Sequence, residues 1–196
     1  FNIAPRDYTL ELTKTDRDNP DSKLPGAEFT VYTDPECTKA AESLRDSNGT
    51  TIANGTFVSD EKGQIYCCGL QPNSIYYIKE TKAPPGYNGN ENVVLKLSIA
   101  GIEQSYAITS ELYVDGKLVA IDDPGNIYLK KDTSNVGEER TMAYVFSNQA
   151  GCELPNTGGA GTVPYTTGGF LLLTGAALLL LYHHTKRRKE EIRIES

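Results

Sequence analysis

Three polar residues fall in phase with apolar strand faces. Lys14 follows Tyr8, Leu10 and Leu12 at alternate positions, Glu80 follows Tyr76 and Ile78, and Asn148 follows Met142, Tyr144 and Phe146. Side chains alternate across a strand, so if these faces point inward the three residues converge on or near one core. Burying an unpaired charge is costly, and burial disfavours the charged form of an amine and of a carboxylic acid alike. A neutral amine is a nucleophile, and a carboxyl group can relay protons. Lys14 attacking the side-chain carbonyl of Asn148, with Glu80 as acid/base, would expel ammonia and leave an intramolecular isopeptide bond. Polar residues in phase at strand ends also arise where a strand simply runs out into solvent, so periodicity alone leaves both readings open.

The elements that would carry these residues read as strands. Tyr8, Leu10 and Leu12 alternate with Thr9, Glu11 and Thr13, and the turn signal DRDNPDSKLPG follows. AEFTVYT is a second strand. DPECTKAAESLRDSNG is ambiguous: Asp34 and Pro35 could cap a short helix, or the stretch is an irregular insertion. TFVSDEKGQIYCCGL reads as two strands about a Gly-containing turn, and SIYYIKET as a strand stopped by Ala83-Pro84-Pro85-Gly86-Tyr87. Further strands are expected across residues 92–122, with turns at Gly101 and Asp115-Gly116, and then in IYLKKD and TMAYVFSN. Many short strands with frequent turns indicate an all-β sandwich over residues 7–150, after a linker at residues 1–6.

The last part of the chain is different. Residues 163–182, VPYTTGGFLLLTGAALLLLY, carry no charge. A helix of that length spans roughly 30 Å, the thickness of a bilayer's hydrocarbon core. The segment is apolar on all sides, which argues against an amphipathic core helix. It leads into HHTKRRK, and basic residues directly after an apolar span favour a cytoplasmic tail, here residues 183–196. Within the linker 151–162 stands Leu154-Pro155-Asn156-Thr157-Gly158, kept extended and accessible by Pro155 and the following glycines. The ordered set of pentapeptide, apolar span and basic tail resembles the cell-wall sorting signal of sortase substrates. That resemblance implies attack by a sortase cysteine on the Thr157 carbonyl and cleavage of the Thr157–Gly158 bond. Thr157 would pass to an amine of a peptidoglycan precursor or of a pilin subunit, the protein being membrane-inserted before sorting. A permanent single-pass anchor is the simpler alternative.

A second resemblance lies in the body. LTKTD, LPGAEFTVY, SDEKGQIYCCGL, YYIKETKAPPGY and the FSN ahead of LPNTGG are similar to the B-type repeat of collagen adhesins, the prealbumin-like (SpaA-like) domain of Gram-positive pilins. It covers residues 8–88 and the final strand, and is weaker over residues 89–140. It implies an Ig-like or prealbumin-like sandwich in which the first-strand Lys14 bonds to the last-strand Asn148, promoted by Glu80. The function implied is a cell-wall-anchored pilin or adhesin stalk on a Gram-positive surface. The alternative is an adhesin domain binding a host or matrix ligand, which the sequence does not name. Lys130 and Lys131 lie where a pilin's acceptor lysine would be sought, but no Pro-Lys-Asn pattern surrounds them, which favours a minor pilin or monomeric stalk over a shaft subunit.

Composition narrows the remaining classes. Net charge is −7, and beyond residue 185 five basic against three acidic residues leave the tail at +2, so the remainder stands at −9. An acidic body argues against nucleic acid. Both histidines, His183 and His184, lie in the tail, so no Ser-His-Asp set is expected in the body, and the four cysteines form no CxxC pair that would suggest zinc. No metal or cofactor is expected. A disulfide from Cys37 to Cys67 or Cys68 stands beside the reading of cysteines as small core or edge residues. Cys68-Gly69-Leu70-Gln71 loosely echoes Cys–Gln thioesters but is equally a strand and turn, and the sequons at Asn48 and Asn54 read equally as turns. The chain opens FNIAPRDYTL, with neither an initiator Met nor a leader, and is expected to be a mature form or the C-terminal piece of a longer protein.

Overall fold

Alternating apolar positions generate two sheets facing one core in a computed structural model that describes residues 7–102, 105–133 and 140–151. One compact unit runs from Phe1 to Cys152. The strands are β1 (Tyr8–Asp16), β2 (Glu28–Tyr32), β3 (Thr56–Val58), β4 (Gln64–Leu70), β5 (Ser74–Lys82), β6 (Val93–Ile102), β7 (Ser105–Val114), β8 (Lys117–Val119), β9 (Leu129–Lys131) and β10 (Thr141–Asn148). A four-stranded sheet has the order β4-β1-β10-β9, and a six-stranded sheet has the order β3-β2-β5-β6-β7-β8. The all-β sandwich is therefore the architecture of the described body. The LPNTG segment, Cys152 and the expected span at 163–182 lie outside the described residues.

The pairing that matters most is β1 with β10, the first strand with the last. They run parallel, with Leu12 opposite Tyr144, Lys14 opposite Phe146 and Asp16 opposite Asn148. In this register Lys14 and Asn148 are diagonal neighbours on one face, close enough for long side chains to meet. That face is the inner one. Tyr8, Leu10 and Leu12 from β1, and Tyr144 and Phe146 from β10, pack against Phe29, Val31, Ile78, Leu95 and Leu97 of the other sheet. Phe29 and Phe146 meet edge to face across the core, with ring centroids 5.0 Å apart and an interplanar angle of 79°.

Turns follow local chemistry, with one departure from expectation. Asp115 (φ 51°) and Gly116 (φ 73°) make the expected two-residue β7–β8 turn, both in the left-handed region that such a hairpin requires. Gly101 is not at a turn. It stays in the ladder opposite Tyr106, and β6 continues to Ile102. In the ambiguous stretch after β2 the irregular alternative holds. The Asp34 carboxylate accepts from the backbone N–H of Thr38 and Lys39 and from the Thr38 hydroxyl. These bonds close a loop in place of a helix and hold the Asp34 carboxyl below the usual carboxylate range, the Thr38 hydroxyl contributing most.

Of the two readings of the cysteines, the possible disulfide from Cys37 to Cys67 or Cys68 is not formed: Cys37, Cys67 and Cys68 are free thiols. Cys67 faces the core from β4, where burial pushes its thiol far up, while its neighbour Cys68 points to the opposite face toward Thr9. Cys37 sits in the Asp34 loop in a left-handed conformation, its sulfur beside the Pro35 carbonyl.

Gly63 fastens the backbone beside Lys14. Its carbonyl accepts from the Lys14 N–H at 2.6 Å, and its φ of 69° is left-handed. A Cβ placed there would lie 2.5 Å from the Lys14 carbonyl oxygen and 3.0 Å from the Leu24 nitrogen, both backbone atoms. Gly63→Ala is therefore expected to cost more than the roughly 1–2 kcal/mol of left-handed strain alone. Urea unfolding of this variant measures the loss, and a change under ~0.5 kcal/mol would show that the turn relaxes freely.

Candidate functional site

The end of the sandwich core is polar where the strand patterns place Lys14, Glu80 and Asn148, and the structure brings all three together. Lys14 is 1% exposed, and Glu80 and Asn148 are 0% exposed. Lys14 and Asn148 come from adjacent strands of one sheet, and Glu80 reaches them from β5 in the other. The Lys14 ammonium nitrogen Nζ donates to Asn148 Oδ1 at 2.7 Å and to the Phe146 carbonyl at 3.2 Å. It lies 3.5 Å from Glu80 Oε1 and 4.8 Å from the centroid of the Phe146 ring. Asn148 Nδ2 donates to both carboxyl oxygens of Glu80, at 2.8 and 3.0 Å.

These contacts fix which way the Asn148 amide points. Its nitrogen faces a carboxyl group that can only accept when ionised, and its oxygen faces donors. The Asn148 amide thus presents its oxygen toward the Lys14 amine and its nitrogen toward the Glu80 carboxyl group. Burial dominates the lysine. Desolvation draws its pKa down from 10.5 to about 8, against the opposing pull of the Glu80 charge and hydrogen bond. A larger share of neutral amine is present near neutral pH than on an exposed lysine.

One member of the cluster escapes the strand patterns. Asn90 lies in the loop between β5 and β6 and is 6% exposed. Its backbone N–H donates to Glu80 Oε2 at 2.9 Å. Its side-chain Nδ2 donates to the Ser147 carbonyl at 3.0 Å and, by a short contact, to Asn148 Oδ1. No periodicity singles out a loop asparagine, and the available signal is only its place in the NGN run after the Pro-Pro-Gly-Tyr stop. That stop also has a structural task. The Tyr87 hydroxyl donates to Asp16 Oδ2 at 2.9 Å, and Tyr87 pairs with Ala150. The Asn88 N–H donates to the Gln149 carbonyl and the Gly151 N–H to that of Gly86. The loop after β5 thereby clamps the chain where it leaves β10.

Other residues named from the sequence lie apart from this cluster. The Gln71 amide nitrogen donates to Asp7 and to its own turn at Gly69, and Cys68 contacts Thr9. Lys130 and Lys131 lie on β9, the edge of the smaller sheet, and are exposed. Among the described residues no group of three or more His, Cys, Asp or Glu could hold a metal.

The cluster's charge balance predicts an order of stabilities. Lys14→Met leaves the Glu80 carboxyl buried without its cation, and an uncompensated buried charge costs about 3–5 kcal/mol. Adding Glu80→Gln removes that charge. The double variant is expected to unfold at higher urea concentration than the single one, and the reverse order would show that Lys14 does not balance Glu80.

Two family models match the chain. The SpaA prealbumin-like fold domain matches residues 8–111, and the LPXTG cell wall anchor motif matches residues 147–191. No curated protein matches. Solved structures similar to the chain include the C-terminal fragment of the pilus adhesin SpaC from Lactobacillus rhamnosus GG (22% identity, 77% of this chain and 48% of that one, TM-score 0.49). Another is the pilus 2b backbone protein of group B streptococcus (22% identity, 79% and 47%, TM-score 0.42). A third is BcpA, the major pilin subunit of Bacillus cereus (24% identity, 75% and 31%, TM-score 0.35). The chain spans less than half the length of each of these three. The anchor motif puts the protein at the cell wall of a Gram-positive bacterium. With its sandwich accounting for the greater part of the match, the chain belongs to the SpaA prealbumin-like fold domain family.

Proposed function

We propose that this chain is a load-bearing stalk module of a pilin or adhesin, cut by sortase after Thr157 and stabilised by an autocatalytic isopeptide bond between Lys14 and Asn148. The observation that carries the cross-link is the 2.7 Å contact of a fully buried lysine amine with the Asn148 carbonyl oxygen, while the amide nitrogen rests on Glu80. In the step, neutral Lys14 Nζ forms a bond to Asn148 Cγ. The Glu80 carboxyl group takes a proton from the attacking nitrogen and passes one to the departing amide nitrogen. The Cγ–Nδ2 bond breaks, ammonia leaves, and the carboxyl group ends as it began.

The product suits tension. A bond between residues 14 and 148 closes nearly the whole sandwich into one loop. By the chain-entropy argument such a loop stabilises by up to about 5 kcal/mol. It also changes the route of a pull. Force arriving from the anchor side at residue 151 meets the link at Asn148 and passes directly to Lys14 and back along β1. Every residue between 14 and 148 is bypassed. Without the link, the same pull shears the parallel β1–β10 ladder.

Intact mass tests this reading. The native chain is expected to be lighter than its sequence by one ammonia, and Glu80→Ala is expected to restore the full sequence mass. A native chain of full mass would refute the cross-link. The pH dependence carries a sign as well. Attack needs the neutral amine, and its share grows about tenfold per pH unit until pH passes the lysine's pKa. With that pKa at about 8, the rate of ammonia loss is expected to climb up to about pH 8 and level beyond it. A rate flat from pH 5 to 8 contradicts rate-limiting attack by Lys14.

For the anchor, replacing Leu154–Gly158 with a Gly-Ser run is expected to move the protein from the wall fraction to the membrane fraction. Unchanged wall attachment would show that LPNTG is not the cleavage signal.

A further inference from the structure

We infer that Asn90 is a catalytic residue of the cross-linking step, its side-chain N–H serving as the oxyanion donor to Asn148 Oδ1; this rests on the Lys14–Asn148 reading above. Asn148 Oδ1 accepts two hydrogen bonds, one from Lys14 Nζ and one from Asn90 Nδ2. Only one of these donors is free to act when the bond forms. As Nζ closes on Cγ it becomes a substituent of the tetrahedral carbon and gives up its line of donation to Oδ1. At that moment the carbonyl π electrons move onto the oxygen, which takes up negative charge. Asn90 Nδ2 is already beside it, in a site sealed from water. A donor placed in advance where charge develops lowers the barrier without reorganising.

The orientation of the Asn90 amide is dictated by its surroundings. Nδ2 faces two oxygens, the Ser147 carbonyl and Asn148 Oδ1, and a flipped amide would set its own oxygen against both. The backbone holds the residue independently of that side chain. The Asn90 N–H donates to Glu80 Oε2, and its carbonyl accepts from the Val93 N–H at 3.0 Å. One loop residue thus touches both working parts of the site. Its backbone steadies the proton relay, and its side chain supports the oxygen. When the tetrahedral intermediate collapses, the oxygen's electron pair re-forms the carbonyl bond. The Cγ–Nδ2 pair leaves with the protonated nitrogen as ammonia, and the new amide oxygen can keep Asn90 as its donor.

The test follows ammonia loss by intact mass, after a short expression pulse, in the native chain and in Asn90→Ala and Asn90→Asp. Loss of a single oxyanion donor slows reactions by about 100- to 1,000-fold. Asn90→Ala is expected to be recovered folded and largely unlinked, and to cross-link at least about 100-fold more slowly than the native chain. Its urea midpoint should match that of the equally unlinked Glu80→Ala or exceed it. Asn90→Asp keeps the shape but presents an acceptor until it takes up a proton. Above the Asp pKa its protonated share falls about tenfold per pH unit, while the neutral Lys14 share rises by the same factor up to about pH 8. Its rate is therefore expected to be flat where the native rate climbs and to fall above about pH 8 where the native rate levels, which a packing role alone would not produce. Should Asn90→Ala not fold, the Asn90→Asp pH profile decides. Folded variants that link at the native rate, or an Asn90→Asp profile that climbs to about pH 8 and then levels as the native one does, overturn the assignment. A native chain that never loses ammonia overturns instead the cross-link on which it rests.

Discussion

A lysine amine enclosed between two sheets is the constraint on which this structure turns. Lys14 could not sit at the end of an apolar strand face without partners, because an isolated buried ammonium is far costlier than any packing gain at that position. Its partners come from the most distant parts of the sequence. Asn148 is supplied by the last strand, Glu80 by the opposite sheet, and the β5–β6 loop covers them with Asn90. The parallel β1–β10 pairing, the inward phase of β5 and the path of the loop after β5 all have to be right together. The same enclosure that makes the cluster costly as ions favours a neutral amine at about pH 8 and above. What is a liability for a salt bridge is the condition that the proposed cross-link needs of its amine.

The surrounding architecture concentrates order at the exit of β10. Arg17 N–H donates to the Asn148 carbonyl, the Arg17 side chain reaches Gln149, and residues 86–88 pair with residues 149–151. Tyr87 binds Asp16, which itself caps the turn after β1 through the N–H groups of Asp18 and Asn19. These bonds hold the asparagine's backbone on both sides while its side chain is held by Lys14 and Glu80. The proposed attack of Lys14 on Asn148 relies on orientation supplied from outside the two side chains. The Ala-Pro-Pro-Gly-Tyr run is thus more than a strand stop: it folds back to brace the site.

Much of this was legible in sequence because a strand writes its inner face at every second residue. The phases of Tyr8–Leu10–Leu12–Lys14 and Met142–Tyr144–Phe146–Asn148 hold in the structure, and Glu80 follows Tyr76 and Ile78 inward. Alternation says which face is buried, but not which strands are neighbours. The β1–β10 pairing came within reach only through resemblance to a known domain. Asn90 was missed because a loop residue has no period, and its place is set by contacts to residues 57 and 58 positions away. Gly101 misled because glycine marks a turn or merely a strand position with equal ease, and the ladder to Tyr106 decided between them. The Cys37–Cys67 pairing had compartment in its favour but no geometric information, and Cys37 is held elsewhere by the Asp34 loop.

The central claim is a covalent bond between two named side chains, and fragmentation of a proteolytic digest tests it most directly. Digestion of the native chain under reducing conditions is predicted to yield a branched peptide joining the Lys14 segment to the Asn148 segment. Its mass should equal the sum of the two peptides less one ammonia, with fragment ions placing the junction at Lys14 and Asn148. Recovery of the two segments as separate, unmodified linear peptides would contradict the account.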